Sequence, residues 1–294
     1  MADDLIISTP SAYQYPLLIR QLLETGVTRA PEQMIVCGDR ERQTYRQLHE
    51  RVGRLASGLA GLGIKAGDTV AVMDWDSHRY LECFFAIPMM GATLHTINVR
   101  LSPEQILYTI NHAKDDIILV NSEFFSLLEQ IWDRVKAVKS LVRIDDFGDK
   151  PKTTLPLAID YETLLNAADP HFDFPELDEN ARATTFYTTG TTGLPKGVYF
   201  SHRQLVLHTI ALRGAIMGAG HGRLNDGDVY MPVTPMFHVH AWGFPYVATT
   251  LGLKQVYPGR YSPDVLLELI RREKVTFSHC VPTILQMILA NPKS

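Results

Sequence analysis

Residues 187 to 197, reading Tyr-Thr-Thr-Gly-Thr-Thr-Gly-Leu-Pro-Lys-Gly, bring four threonines, three glycines and one lysine into a single short stretch. These residue types suit phosphate. Glycines let the backbone turn tightly and bring bare N–H groups close to a ligand, and successive N–H groups in such a turn form an anion-binding concavity. Threonine hydroxyls add donors, and Lys196 adds a mobile positive charge. An apolar run precedes the stretch (Ala183 to Tyr187) and another follows it (Val198 to Phe200). The expected arrangement is therefore strand, glycine-rich turn, strand, with the turn as a polyphosphate cradle. The alternative is a flexible polar hairpin loop. A Walker P-loop does not fit, because the G-x-x-x-x-G-K-[ST] spacing is absent and the next element reads as a strand.

A second stretch, Thr234 to Tyr246, reads TPMFHVHAWGFPY. A strand would put His238 and His240 on one face and suggest a metal pair. No third His, Cys or acid lies near in sequence, and the competing reading is a core seam filled by aromatic and histidine side chains.

The run from Thr188 to Gly197 resembles the phosphate-binding signature of the adenylate-forming (AMP-binding) superfamily. This superfamily comprises the acyl-CoA synthetases, luciferases and peptide-synthetase adenylation domains. Its pattern is a Ser/Thr-Gly-Ser/Thr-rich loop ending in Pro-Lys-Gly, and the chain fits it throughout. Pro235-Met-Phe-His238 is similar to the superfamily's Pro-[Leu/Met]-[Phe/Tyr]-His motif. The wider text, TTGTTGLPKGV with SHR after it and AWGFPY further on, looks closest to bacterial medium- and long-chain fatty acyl-CoA synthetases.

The resemblance implies roles. Thr188, Thr189, Gly190, Thr191, Thr192, Gly193 and Lys196 would hold the phosphates of ATP. Thr188 would also help hold Mg²⁺, and Lys196 would hold the departing pyrophosphate. His238 would place a carboxylate against the α-phosphorus. Trp242, beside Gly243, is either a core tryptophan or the wall or gate of an acyl tunnel, swung aside at Gly243. The implied reaction has two steps. A carboxylate attacks ATP to give an acyl-adenylate and pyrophosphate, and the coenzyme A thiol then displaces AMP. Positioning and charge neutralisation suffice for the first step, with no nucleophilic side chain.

The bulk properties are those of an ordinary soluble protein. Lys plus Arg number 28 against 32 Asp plus Glu, a net charge of −4 in 294 residues, so there is no basic footprint for nucleic acid. Three scattered cysteines, Cys37, Cys83 and Cys280, form neither a disulfide framework nor a metal knuckle. The acidic start Met1-Ala-Asp-Asp lacks the bases of a targeting peptide, and no apolar run is long enough for an integral membrane segment. A cytoplasmic protein is expected, and a homodimer by analogy with relatives.

The elements that must position these residues alternate. Strands are expected at Met34–Cys37, Thr69–Met73, Ala92–Thr96, Asp116–Val120 and Leu141–Ile144. Helices are expected at Leu17–Thr25, Thr44–Leu62, His78–Met90, from Ser102, and at Phe124–Val138. The alternation predicts right-handed βαβ units and a parallel sheet. Residues Asp145–Glu179 read as a surface crossover with one helix at Tyr161–Ala168. Beyond the cradle come a helix from Ser201 to Met217, a glycine-rich loop from Gly218 to Gly227, strands at Asp228–Pro232, Leu253–Tyr257 and Val275–Ser278, and helices from Ser262 and Pro282. Arg100, Glu82 and Asp74 stand near predicted strand ends, with no role assigned.

The fold class expected is α/β, an acyl-CoA synthetase-like large N-terminal domain built of layered parallel-sheet and helix subdomains. The division expected is 1–178 for an N-terminal subdomain and 179–294 for a phosphate-loop and acyl-pocket subdomain. The superfamily's adenine segment (aromatic-Gly-x-Thr-Glu), its ribose segment (Thr-Gly-Asp) and its lysine-bearing C-terminal lid domain have no match here. The expectation is therefore an incomplete domain, inactive or nearly so alone, from a fatty acid–CoA ligase. Two rival readings stand beside it. One is a ligase for short-chain or aryl acids, and the other a non-enzymatic nucleotide- or acyl-binding module.

Overall fold

A computed structural model describes residues 7–13, 15–146, 148–189, 193–218 and 224–292. Helix α1 (Ile19–Arg29) leads to strand β1 (Met34–Cys37), which turns back to pair antiparallel with β2 (Glu41–Thr44). Thr44 then caps α2 (Tyr45–Gly61). Its hydroxyl accepts from Gln47 N–H at 3.2 Å, and the Gln47 side chain accepts from Thr44 N–H at 2.8 Å. That reciprocal box satisfies two amides a helix start otherwise leaves orphaned. Ser77 caps α3 (His78–Met89) and Ser102 caps α4 (Pro103–Ala113) in the same way, through Oγ to the amide three residues on.

Between these helices run β3 (Thr69–Met73), β4 (Thr93–Thr96) and β5 (Ile117–Asn121). A short α5 (Phe125–Glu129) precedes β6 (Ser140–Ile144), β7 (Leu157–Asp160) and α6 (Tyr161–Ala167). The long helix expected over Phe124–Val138 is thus broken. Asn111 of α4 reaches across, donating to the Arg134 carbonyl (3.0 Å) and accepting from Lys136 N–H (3.0 Å), and so captures backbone that a continuing helix would need. The crossover expected at 145–179 contains a strand, β7, as well as its helix.

The rest comprises β8 (Arg182–Thr188), β9 (Lys196–Ser201), α7 (His202–Gly218), β10 (Val229–Pro232), α8 (Phe244–Leu251), β11 (Lys254–Tyr257), α9 (Pro263–Glu273), β12 (Phe277–His279) and α10 (Pro282–Leu289). The glycine-rich loop expected after α7 lies partly outside the described residues.

Two sheets result. The larger has order β7-β6-β5-β3-β4-β8-β9 and is parallel except for the β8–β9 hairpin. The smaller has order β12-β10-β11-β1-β2 and is parallel except for β1–β2. The sheets do not follow the 178/179 line. β1 and β2 join the smaller sheet, whereas β8 and β9 extend the larger.

Helix α3 lies between the two sheets. It packs on β3, β4 and β8 of one and β1 of the other, and every residue in it is buried. Its apolar run explains that placement: fully buried side chains such as Phe84 and Phe85 each contribute roughly 2–3 kcal/mol. Its charges are buried only because they are paired. Glu82 takes Arg51 Nε at 2.7 Å and the Tyr161 hydroxyl at 2.7 Å, and Arg79 bridges Glu162 (2.7 Å) and Asp146 (2.8 Å). Among the described residues, no helix is long and apolar enough to cross a membrane.

Candidate active site

Strand β8 ends at Thr188 and β9 begins at Lys196, and the two residues are directly opposite in the antiparallel register. Cross-strand neighbours of this kind hold their Cβ atoms about 5 Å apart. A half-buried hydroxyl and an exposed ammonium therefore flank the mouth of the connection. Among the described residues no carboxylate pairs with Lys196, which leaves its charge available. Thr189 and Gly193 are exposed, and Gly193 takes φ +107°, a backbone state that favours glycine. Gly190, Thr191 and Thr192 lie outside the described residues.

The root of this hairpin is held from below. The Tyr187 side chain is buried, and its hydroxyl hydrogen-bonds His112 Nδ1 of α4 at 2.7 Å. The His95 ring lies 5.2 Å from the Tyr187 ring. His95 Nδ1 donates to the Asp115 carboxylate, 2.9 Å from each oxygen, and burial raises the Asp115 pKa. Sequence reasoning missed these groups. His95, His112 and Asp115 are scattered over β4, α4 and the turn after it, and only the β4–β8 pairing brings them under the cradle.

After β10 the chain runs through a loop anchored at three points. Thr234 N–H donates to the His279 carbonyl (3.2 Å), Met236 N–H to Asp76 Oδ1 (2.7 Å), and the Thr96 hydroxyl to the Phe237 carbonyl (3.4 Å). His238 follows with its ring open to solvent on one side. Partial burial, then the positive charge of Arg100, lowers its pKa, so the neutral imidazole is favoured.

Residues Val239–Gly243 form a left-handed turn, with φ of +49°, +52°, +48°, +57° and +73° in order. This corrects the strand geometry considered for the two histidines. The turn buries His240 at 1 % exposure, edge-on to Phe84, Phe186 and Phe200, with ring centroids 5.1–6.1 Å away. Burial lowers its pKa to about 3, so it is neutral. His238 faces solvent and His240 an aromatic cage, so the two do not form a metal pair.

Trp242 is 57 % exposed, which excludes the core-tryptophan reading. Its carbonyl accepts from His208 Nε2 of α7 at 3.1 Å. A cavity of about 200 Å³ on one side of this pair is lined by Phe200, Gln204, Leu205 and Val239. A second, of about 340 Å³, is lined by Leu212, Thr234, Phe244 and His279. Trp242 and His208 line both, so the indole stands between two mainly apolar spaces. Gly243 permits the arrangement: a Cβ there would lie 2.8 Å from His208 Cδ2.

The family model described as AMP-binding enzyme matches residues 23–294. The chain belongs to the AMP-binding enzyme family. Among curated relatives it is similar to a long-chain-fatty-acid–CoA ligase of Thermus thermophilus, 44 % identical over 84 % of this chain and 43 % of the relative. It is also similar to a medium-chain-fatty-acid–CoA ligase of Ectopseudomonas oleovorans, 37 % identical over 86 % of this chain and 46 % of that one. Others are named for acids as different as 3-methylmercaptopropionate, acetate and benzoate, so the relatives are acyl-CoA ligases without a common acid. The fold matches the anthranilate CoA ligase AuaEII in complex with anthranoyl-AMP at TM-score 0.83 and 21 % identity, over 97 % of this chain and 54 % of that one. The chain spans about half the length of the curated relatives it matches.

Proposed function

We propose that this chain carries the phosphate- and acyl-binding face of an AMP-forming acid–CoA ligase, whose whole protein converts a medium- or long-chain fatty acid, ATP and coenzyme A into acyl-CoA. One observation carries the reading. Strand β9 begins at Lys196 and reaches the apolar cavity at Phe200. Residues four apart on a strand share a face, and four residues span roughly 13 Å. A cation for phosphate and a slot for an alkyl chain thus stand on one rigid element, at a separation that leaves room for a carboxylate and a phosphate.

Lys196 balances charge on the departing pyrophosphate, and threonine hydroxyls with loop amides hold the phosphate oxygens. His238, neutral, donates one ring N–H to the carboxylate and orients it. Trp242 and His208 close the apolar space around the chain. Thr188 would offer one hydroxyl to Mg²⁺, an ion that binds through few protein ligands. That ion would neutralise phosphate charge. The chemical nature of the cavities, apolar with few polar groups, supports an acid with a sizeable apolar tail over a short-chain acid such as acetate.

The test is pyrophosphate release by the complete ligase across acids of increasing chain length, with and without Lys196→Ala. The expected profile peaks at medium or long chains, and the variant loses most of its rate at every length. A peak at acetate or benzoate would reassign the acid. A Lys196→Ala enzyme with unaltered pyrophosphate release would remove the cradle role.

A further inference from the structure

Asp76 lies in the loop between β3 and α3, at the C-terminal end of a central strand of the larger sheet. Open α/β sheets bind ligands at that end. Asp76 is 160 residues from Met236 in sequence and 2 % exposed. Its Oδ1 accepts the Met236 N–H at 2.7 Å, and Met236 is two residues before His238. Its main-chain carbonyl accepts Gly259 N–H at 2.8 Å, in an isolated antiparallel bridge to the loop after β11 of the smaller sheet. The Thr96 hydroxyl at the end of β4 holds the next carbonyl of the same loop, that of Phe237. The segment that presents His238 is therefore suspended from the ends of β3 and β4, and Asp76 is its buried anchor.

We propose that Asp76 is a positioning residue for His238, and that protonation of its carboxyl loosens the loop which presents that imidazole to the carboxylate substrate. The hydrogen bond from Met236 is charge-assisted while Asp76 is ionised, and such bonds are roughly twice as strong as neutral ones. The other carboxylate oxygen, Oδ2, is buried and has no partner among the described residues. A proton there meets no competing donor. The titratable and charged groups facing Asp76 are Asp74 and Tyr80 from its own side of the fold, Arg100 from beyond β4, and Tyr230, Tyr257 and Tyr261 from the smaller sheet and its loops. Burial raises the Asp76 pKa to about 7, opposed by the Met236 N–H, with Asp74 adding to the rise and Arg100 opposing it. The anchor thus changes strength close to neutral pH. The consequence for turnover rests on the ligase reading above, but the anchor itself does not.

The experiment reads the anchor directly in this chain, without substrate. Selective ¹⁵N-methionine labelling gives amide signals from 8 of the 9 methionines, Met1 having an amino group in place of an amide, and loss of one signal in Met236→Leu assigns the relevant one. The expected result is that the Met236 amide proton moves upfield as pH falls from about 9 to about 5, with one midpoint near neutrality, as its carboxylate acceptor is protonated. Asp76→Asn, which keeps an oxygen acceptor but does not titrate, should hold that signal still. His238→Gln, at an exposed ring, should leave the midpoint in place. A stationary Met236 amide in the parent chain overturns the proposal. So does a midpoint that survives Asp76→Asn or disappears in His238→Gln. Failure here leaves the ligase reading intact, because pyrophosphate release tests that separately.

Discussion

Replacing Gly243 by alanine tests whether the left-handed turn and the His208 contact jointly set the position of Trp242. Gly243 has φ +73° and is buried. An L-residue in that region costs roughly 1–2 kcal/mol. The new methyl would also stand 2.8 Å from His208 Cδ2 and 3.0 Å from its Nε2, closer than a carbon can sit. His208 is an exposed side chain and can swing away, but doing so forfeits its 3.1 Å bond to the Trp242 carbonyl. A net hydrogen bond of that kind is worth about 1 kcal/mol or less. The expected total is therefore about 2–3 kcal/mol. In a His208→Ala background the steric part vanishes, and only the backbone term of about 1–2 kcal/mol remains. Urea denaturation of the two single variants and the double variant measures both terms, and the difference between backgrounds is the coupling energy. Equal costs in both backgrounds would show that Gly243 and His208 do not interact. A Gly243→Ala chain as stable as its parent would mean that residue 243 does not adopt the left-handed state.

Lys196→Ala in the complete ligase is expected to cut pyrophosphate release at least tenfold at saturating acid, through loss of a phosphate charge partner worth about 1.4 kcal/mol or more. Trp242→Ala is expected to shift the acyl-length profile toward longer acids while the KM for ATP holds within about twofold, since a wall of an apolar cavity is removed; an unchanged profile in a carboxylate panel counts against the wall. Asp76→Asn is expected to stabilise the chain increasingly as pH rises. The native carboxyl, at about 7, keeps its proton where the unfolded one, at 3.8, has lost it, so parent stability falls across that window and levels off above it. At 1.36 kcal/mol per unit the whole window from 3.8 to about 7 is worth at most about 4 kcal/mol, of which at most about 3 kcal/mol falls between pH 5 and pH 8, read as the change in the difference between variant and parent urea midpoints at those two pH values. A pH-independent difference would sink it.

What the sequence makes legible follows from where each signal originates. The strands of the larger sheet's centre read as unbroken apolar runs because helices cover both faces, and Thr69–Met73 and Ile117–Asn121 are buried at every position. Helix starts at Thr44 and Ser102 were readable because the capping box is local. The missed strands are edges. β2, Glu-Arg-Gln-Thr, and β7, only half-buried, pair with one neighbour each and carry no alternating pattern. The family was legible because Thr188 to Gly197 is contiguous, and the two strands expected to flank the stretch are present, with Thr188 opposite Lys196. Asp76, His95 and His112 were not legible, because their partners lie 160, 20 and 75 residues away.

The left-handed turn was invisible for a different reason. Four of its five residues, Val239 to Trp242, are not glycine, so composition argues against the conformation they adopt. Together they carry several kcal/mol of backbone strain by the per-residue cost of roughly 1–2 kcal/mol. Such strain persists only where surrounding structure over-determines it. Here the causes can be named. Ala241 is fully buried, His240 fills a cage of three phenylalanines, the Trp242 carbonyl is held by His208, and the loop just before is tied to Asp76 and Thr96. A right-handed turn over the same residues would exchange the directions of successive side chains. The left-handed turn buries His240 while leaving His238 and Trp242 exposed, and the tertiary contacts that offset its strain come from β4, β8, β9, α3 and α7, not from the stretch itself.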